Sequence, residues 1–270
     1  MPTVLITGCS TGIGRAAAER FQAEGWNVVA TMRNPDAETD LTALDNVLVA
    51  ALDVTDPASI DATVNAANER FGGIDVVVNN AGYGAYGPLE STPREKIVRQ
   101  FNTNVIGLLD VTKAVLPQFR GRGSGVIVNI SSMGGKITMP LGSLYHGTKF
   151  AVEGISEALT YELGAIGAQM KIVEPGIVAT DFSGRSMDIS MNPEHEEYQP
   201  VINGLLTASS AEGRFSSEPA DIADVIFTAA TDGTDQLRYV AGQDAEQMIA
   251  MRASADDATY LAGIRANFGL

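Results

Sequence analysis

Seven short apolar runs punctuate this chain, and longer segments of helical periodicity separate most of them. The runs are Val4–Thr7, Asn27–Thr31, Val47–Leu52, Asp75–Asn79, Gly125–Ile130, Gln169–Glu174 and Arg238–Val240. Several are bare β-branched stretches, such as Val76-Val77-Val78 and Val126-Ile127-Val128, with no polar residue at alternate positions. That continuity predicts strands buried on both faces, as in a parallel sheet covered by helices. Helical patterns run over Gly12–Glu24, Pro57–Phe71, Arg94–Phe119, Lys149–Ala165, Ala220–Thr231 and Ala245–Phe268. Asp56-Pro57 reads as a cap and first-turn pair, and Ser217-Glu218-Pro219 leads similarly into the fifth helix. The alternation predicts an α/β fold with a doubly wound, predominantly parallel seven-stranded sheet, helices on both faces, and ligands gathered at the strands' carboxyl ends.

The length of 270 residues suits one large α/β domain, because no composition shift marks a linker. The lone Cys9 cannot form an internal disulfide, which fits a reducing cytoplasm. Met1-Pro2 leads straight into the first strand without the basic and long apolar regions of a secretory signal, and no run approaches the ~20 apolar residues that span a bilayer. A net charge of −15 argues against nucleic acid or an anionic membrane surface as partner. An anionic cofactor must therefore be held by local donors.

Such donors stand at the first strand–helix junction, Thr7-Gly8-Cys9-Ser10-Thr11-Gly12-Ile13-Gly14. Gly8, Gly12 and Gly14 permit a tight turn and close backbone approach, and the helix N-terminus offers unpaired amides to a pyrophosphate. A purely structural turn is the alternative. The Gly-Lys-Ser/Thr ending of a P-loop is missing, which disfavours nucleotide hydrolysis.

Tyr145 and Lys149 stand four residues apart, thirteen residues after Ser132. On a helix that spacing places both on one face. Bringing a phenol from a pKa of ~10 to ~7 takes about 4 kcal/mol. One cation about 4 Å away at an effective dielectric of ~20 supplies that order of energy. Lys149 can therefore make Tyr145 a general acid/base, while the Ser132 hydroxyl reaches the same carbonyl oxygen; Ser131 is the competing serine. With 2 His and 1 Cys, a His/Cys-rich metal site is not expected, and His146 and His195 match no metal-binding spacing.

Taken together, the Gly-rich turn, Asp53, Asn79-Asn80-Ala81-Gly82, Asn104, Ser132, Tyr145 with Lys149, and Pro175-Gly176 resemble the compact single-domain branch of the short-chain dehydrogenase/reductase family. The resemblance runs from Thr7 to about Asp181 and implies a Rossmann-like fold and hydride exchange between nicotinamide and a ketone/aldehyde or secondary alcohol. It implies a catalytic set of Asn104, Ser132, Tyr145 and Lys149. It also implies that Lys149 holds the nicotinamide ribose and that Asn104 holds a water that relays protons. Cofactor contacts are implied for Gly8, Ser10, Thr11, Gly12, Ile13, Gly14, Asp53, Val54, Asn80, Ala81, Gly82, Tyr145, Lys149, Pro175, Gly176, Val178 and Thr180. Taken alone, Asp53 can be a turn or capping residue, Asn104 can satisfy a backbone break, and Pro175-Gly176 can simply end a strand.

The second strand runs into Met32-Arg33, where NAD-preferring members of the family commonly place an acid. A guanidinium at Arg33 matches a 2′-phosphate in charge and fork geometry, so NADP(H) is expected ahead of NAD(H), although Thr11 replaces the basic residue that many NADP-dependent relatives carry in the turn. Between Thr180 and Pro219 the alternation fails. Met187, Met191, Pro193, Tyr198, Pro200, Leu205, Leu206 and Phe215 sit there among polar residues; the resemblance implies a substrate lid within about 181–218, whose length favours a moderately large or apolar substrate, while packing alone is the alternative reading of the Met side chains. Tyr83 and Tyr86 are candidates for the cleft lining. Apolar residues on more than one face of Lys149–Ala165, together with Arg94–Phe119, resemble the family's helical seam, so a homodimer or homotetramer is expected. An epimerase or dehydratase, or a non-catalytic dinucleotide sensor, are the competing functions.

Overall fold

The structure, a computed structural model, describes residues 1–180, 186–210 and 216–270. Its centre is a seven-stranded sheet of β1 (Thr3–Ile6), β2 (Asn27–Met32), β3 (Val47–Ala51), β4 (Val76–Asn79), β6 (Gly125–Ile130), β7 (Ala168–Pro175) and β9 (Arg238–Ala241), in the spatial order β3-β2-β1-β4-β6-β7-β9. Every neighbouring pair is parallel. Strands β1, β2 and β4 are buried at each residue, as their unbroken apolarity predicts. The strand order reverses between β1 and β4, which opens a crevice beyond their carboxyl ends. The Gly-rich turn follows one of these strands and Asn79-Asn80-Ala81-Gly82 closes the other.

Two apolar layers flank the sheet. On one face Phe21 of α1 (Gly12–Ala23) packs edge-on against Trp26 and Phe227, the latter from α7 (Pro219–Thr231), over Val4, Ile6, Val28 and Val78. On the other, α2 (Pro57–Phe71) and α4 (Gly107–Arg122) bring Ile60, Val64, Val111, Val115 and Phe119 onto Leu5, Val29, Val77 and Ile127. Burying such aliphatic side chains is worth ~2 kcal/mol each, which makes this two-faced core the main source of stability. The helix ends follow the sequence signals. Asp56 accepts from Ala58 N at 3.0 Å with Pro57 in the first turn, and α7 opens with a reciprocal Glu218–Asp221 capping box.

Four features depart from the sequence-based expectation. The predicted helix Arg94–Phe119 is α3 (Arg94–Phe101), a π-helical turn (Asn102–Ile106) and α4. The last predicted helix divides into α8 (Gln243–Ser254) and α9 (Asp257–Phe268), because Asp256 caps the second by accepting from Thr259 N at 2.8 Å. A small parallel pair joins β5 (Gly84–Tyr86) to β8 (Met187–Ile189), with α6 (Gln199–Ser210) further along the expected lid; Phe215 and positions 181–185 and 211–214 lie outside the described residues. The helix α5 spans Ser143–Ala165 and so begins six residues before the expected Lys149. Tyr145 and Lys149 thus share its first turns.

Candidate active site

Thr7 ties the two turns at the strand reversal together. Its Oγ1 accepts from Asn80 N at 3.0 Å and Ala81 N at 2.9 Å, while Asn80 Nδ2 donates to the carbonyls of Thr7 and Gly8 at 2.8 and 3.1 Å. Gly8 and Gly12 adopt φ of +75° and +61°, left-handed values that disfavour any side chain. At Gly14 a methyl group would overlap the Gly8 carbonyl and Asn80 Nδ2. Thr11 sits at the N-cap of α1 yet its side chain makes no cap hydrogen bond, so the first amides of the helix, at Ile13 and its neighbours, remain available to an anion. Ser10 and Thr11 are exposed at the lip of the turn. The Cys9 thiol points into the core, donates to Ile6 O at 3.2 Å and is pushed up to about 12 by burial, which makes it a poor nucleophile.

The adenosine end of the expected site is asymmetric. Arg33 is exposed and has neither ion pair nor hydrogen bond among the described residues. The other cation nearby in sequence, Arg15, is tied to Glu38 and Asp40 at 2.9 Å each and to Glu19 at 3.1 Å. Asp53 Oδ1 accepts from Thr55 N and Oγ1 at 2.9 and 2.7 Å, a local turn of the kind its sequence context allows. Val54 is buried, and its carbonyl packs so closely on Gly107 that a methyl there would stand 2.7 Å from the oxygen.

Asn104 lies inside the π turn, a distortion that aims its side chain inward. Its Oδ1 accepts from Tyr83 N at 3.1 Å and its Nδ2 donates to Tyr83 O and Thr148 Oγ1 at 2.8 and 3.1 Å, which staples the turn after Gly82 to α5. Ser132 caps a short 3₁₀ turn by accepting from Gly134 N at 3.0 Å, and its hydroxyl is 3.4 Å from Pro175 O. That hydroxyl also reaches the Tyr145 phenol in hydrogen-bonding geometry. Ser131 is turned into the core, with no partner for its Oγ among the described residues, so Ser132 is the serine of the cleft.

The expected lowering of the Tyr145 phenol is not what the structure gives: burial pushes it above its ordinary value, only partly offset by Ser132. Lys149 Nζ donates to Ile130 O at 2.8 Å and lies over the Tyr145 ring, 5.8 Å from its centroid. Burial also lowers Lys149 to about 8, against an upward pull from Glu153.

Opposite this group, Gly176 N donates to Ala241 O at 2.9 Å and Ile177 N to Asp244 Oδ2 at 2.6 Å. Val178 bridges Ser217, and the Thr180 methyl lies where it would meet a Cβ on Gly12 at 3.2 Å, so this turn faces the Gly-rich one across the crevice. Asp244 was missed by sequence reasoning because it lies 67 positions beyond Ile177, just before the last helical pattern, with no local motif around it. Tyr86, named as a cleft candidate, stacks on Tyr145 with centroids 5.6 Å apart and planes at 30°. Tyr83 instead packs under Arg99, whose Nε donates to its hydroxyl at 3.1 Å.

His146 is a core histidine, with Nδ1 bound to Gly134 O at 2.9 Å and Nε2 accepting from Met139 N at 3.0 Å. That pattern requires the neutral ring, which burial favours. His195 pairs with Ser91 at 3.1 Å, and Tyr198 donates to Glu90 at 2.8 Å. These contacts, the β5–β8 pairing and the Asp188 ion pairs with Lys96 (2.6 Å) and Arg99 fasten positions 186–198 across the segment carrying Tyr86. No helix among the described residues is long and apolar enough to cross a membrane.

Comparison with known proteins agrees with this architecture. The family model described as short chain dehydrogenase matches residues 2–188. A Schizosaccharomyces pombe protein named as an uncharacterized oxidoreductase is 47% identical over 88% of this chain and 100% of its own. Among solved structures, ElxO with NADP bound superposes with a TM-score of 0.74 at 28% identity, covering 88% of this chain and 97% of that one. The 3-ketoacyl-(acyl-carrier-protein) reductase of Brucella melitensis complexed with NADH gives 0.74 at 25% identity, over 89% and 96%.

Proposed function

The chain belongs to the short-chain dehydrogenase family of oxidoreductases, and from that membership we propose that it is an NADP(H)-dependent enzyme acting on a ketone/aldehyde or secondary-alcohol pair. The observation that carries this reading is the Ser132 hydroxyl on the Tyr145 phenol, with Lys149 one turn along α5, at the crevice where the sheet order reverses. Nicotinamide bound there supplies or accepts the hydride. The amides around Gly8, Ser10, Thr11, Gly12, Ile13 and Gly14 bind the pyrophosphate, and Arg33 its 2′-phosphate. Asp53 and Val54 flank the adenine, Asn80, Ala81 and Gly82 leave room for the ribose, and Pro175, Gly176, Val178 and Thr180 wall the carboxamide end.

In reduction, Tyr145 gives its proton to the developing alkoxide while Ser132 donates a hydrogen bond to the same oxygen. A phenol held neutral by burial is the correct starting state for that acid. With the cofactor bound, Lys149 would hold the ribose hydroxyls and Asn104 would hold the relaying water. The free guanidinium of Arg33 supports NADP(H) over NAD(H), since Arg15 is already neutralised by Glu38 and Asp40.

The same reading takes residues 1–270 as a single domain with a substrate lid within about 181–218, supported by the fastening of positions 186–198 over Tyr86. A homodimer or homotetramer is supported by Val98, Phe101, Ile106 and Phe150, apolar side chains exposed along α3, the π turn and α5. A cytoplasmic setting suits the single, reduced Cys9.

The test is an absorbance screen of NADPH and NADH with ketones and aldehydes, and of NADP and NAD with secondary alcohols, run beside Tyr145→Phe. Turnover lost in that variant is the expected result. Dinucleotide binding without turnover across a broad panel would make the protein a sensor instead.

A further inference from the structure

Behind Lys149 lies a buried acidic group that the reaction as described does not use. Glu153, one turn further along α5, is 5% exposed, and Glu174 of β7 is 2% exposed. Gly135 is wedged between Glu153 and the end of β6: a Cβ there would stand 2.7 Å from Ser131 Oγ, 2.9 Å from Glu153 Cγ and 3.1 Å from Lys149 O. The Lys149 ammonium, on the carbonyl of Ile130, and the Glu153 side chain, across Gly135 from Ser131, thus converge on the same strand terminus.

Two buried carboxyl groups in contact need a proton between them. Glu153 and Glu174 are within hydrogen-bonding reach of each other, and one oxygen of each, Oε1, is buried with no other hydrogen-bond partner among the described residues. A shared proton satisfies both. Burial and then the Glu153 charge push the Glu174 carboxyl well above the usual carboxylate range, so Glu174 is the member that holds the proton. On the other side, Arg238 Nε donates to Glu153 Oε2 at 2.9 Å, which places a guanidinium against that carboxylate.

The other charged groups facing this cluster are Lys149 and Glu157 on α5, Lys136 after the 3₁₀ turn and Arg238 on β9. Arg238 also binds Glu157 at 2.5 Å and stands 3.6 Å from Glu174. Of these groups, Glu153 is the one that acts on Lys149.

We propose that Glu153 is a positioning residue: held by Arg238 and by a proton shared with Glu174, its carboxylate keeps the buried Lys149 in the ammonium form. The assignment rests on the proposed reaction for its use, though not for its existence. An ammonium that has to sit in an apolar wall and still present charge to the phenol needs a fixed counter-charge on its far side.

The experiment measures the pH dependence of Lys149 acetylation by acetic anhydride, which consumes only the neutral amine, in the full chain and in Glu153→Gln, Glu174→Gln and Glu157→Gln. The fraction modified is read by mass spectrometry. Glu153→Gln is expected to raise the neutral fraction at pH 7 about threefold or more. Glu174→Gln replaces the shared proton with a permanent N–H donor and is expected to leave that fraction within twofold, as is Glu157→Gln. Should Glu153→Gln fail to fold, Glu153→Asp, which withdraws the carboxylate by one methylene, must move the fraction in the same direction. An unmoved midpoint, or equal shifts in the Glu153 and Glu174 variants, overturns the assignment.

The basic limb of kcat/KM for carbonyl reduction is followed in parallel and is expected to move to lower pH in Glu153→Gln. Absence of turnover in every protein with a normal acetylation shift removes the proposed reaction and leaves the Glu153 assignment standing. Turnover without the shift does the reverse.

Discussion

Lys149 Nζ is bound to the carbonyl of Ile130 at 2.8 Å, so the charge expected to acidify Tyr145 is parked on the end of β6. Lys149 and Tyr145 are on one helix face, with the ammonium 5.8 Å from the centre of the phenol ring and its hydrogen bond spent on the strand carbonyl.

The first prediction concerns Lys149 itself. Its folded-state pKa, about 8 against 10.5 unperturbed, is depressed, so between those values the folded protein binds fewer protons than the unfolded chain and stability rises with pH. The difference is bounded by ~3 kcal/mol. Urea unfolding at pH 7 and 10 should show wild type gaining stability relative to Lys149→Met over that interval; parallel curves for the two proteins would contradict the buried cation.

Tyr145→Phe removes the acid and leaves the ring that stacks on Tyr86. Reduction should slow by roughly 10²–10⁴-fold, the usual contribution of a positioned proton donor. NADPH binding, followed by its fluorescence, should stay within a few-fold, and a variant retaining a tenth of the wild-type rate would place the acid elsewhere.

At the adenosine end, Arg33→Ala should lower the ratio of kcat/KM for NADPH over NADH by about tenfold, corresponding to ~1.4 kcal/mol for one charge-assisted phosphate contact. Arg15 cannot compensate while Glu38 and Asp40 hold it. An unchanged ratio refutes the role given to Arg33.

Thr7→Val keeps the shape of the side chain and deletes the acceptor for Asn80 N and Ala81 N. Two part-buried amides left without that partner should cost about 2–4 kcal/mol in the unfolding free energy. Nicotinamide binding should weaken as well, because the turn after β4 is anchored to the Gly-rich turn through this hydroxyl. Wild-type stability in the variant would show that water replaces the contact.

Much of this arrangement is legible in the chain. The central strands of the main sheet announce themselves because burial on both faces forces an unbroken apolar run, as at Val76-Val77-Val78. The Tyr145–Lys149 spacing, the glycines and Ser132 are local signals whose geometry follows from helix and turn rules. The π turn around Asn104 is not legible, since its extra residue leaves the apolar periodicity of Arg94–Phe119 nearly intact. Strands β5 and β8 are three residues each, too short for any alternation, and Gly84-Ala85-Tyr86 reads as loop. The break before α9 did carry a signal, the capping Asp256. The position of Lys149 Nζ depends on which carbonyl lies nearest, a tertiary fact with no counterpart in residue spacing.

The β5–β8 ladder has a mechanical consequence. Gly84–Tyr86 is the lever on which Tyr86 rides, and its hydrogen-bonded neighbour is Met187–Ile189. Any displacement of Met187–Ile189 is therefore transmitted along the paired strand to the ring that stacks on Tyr145.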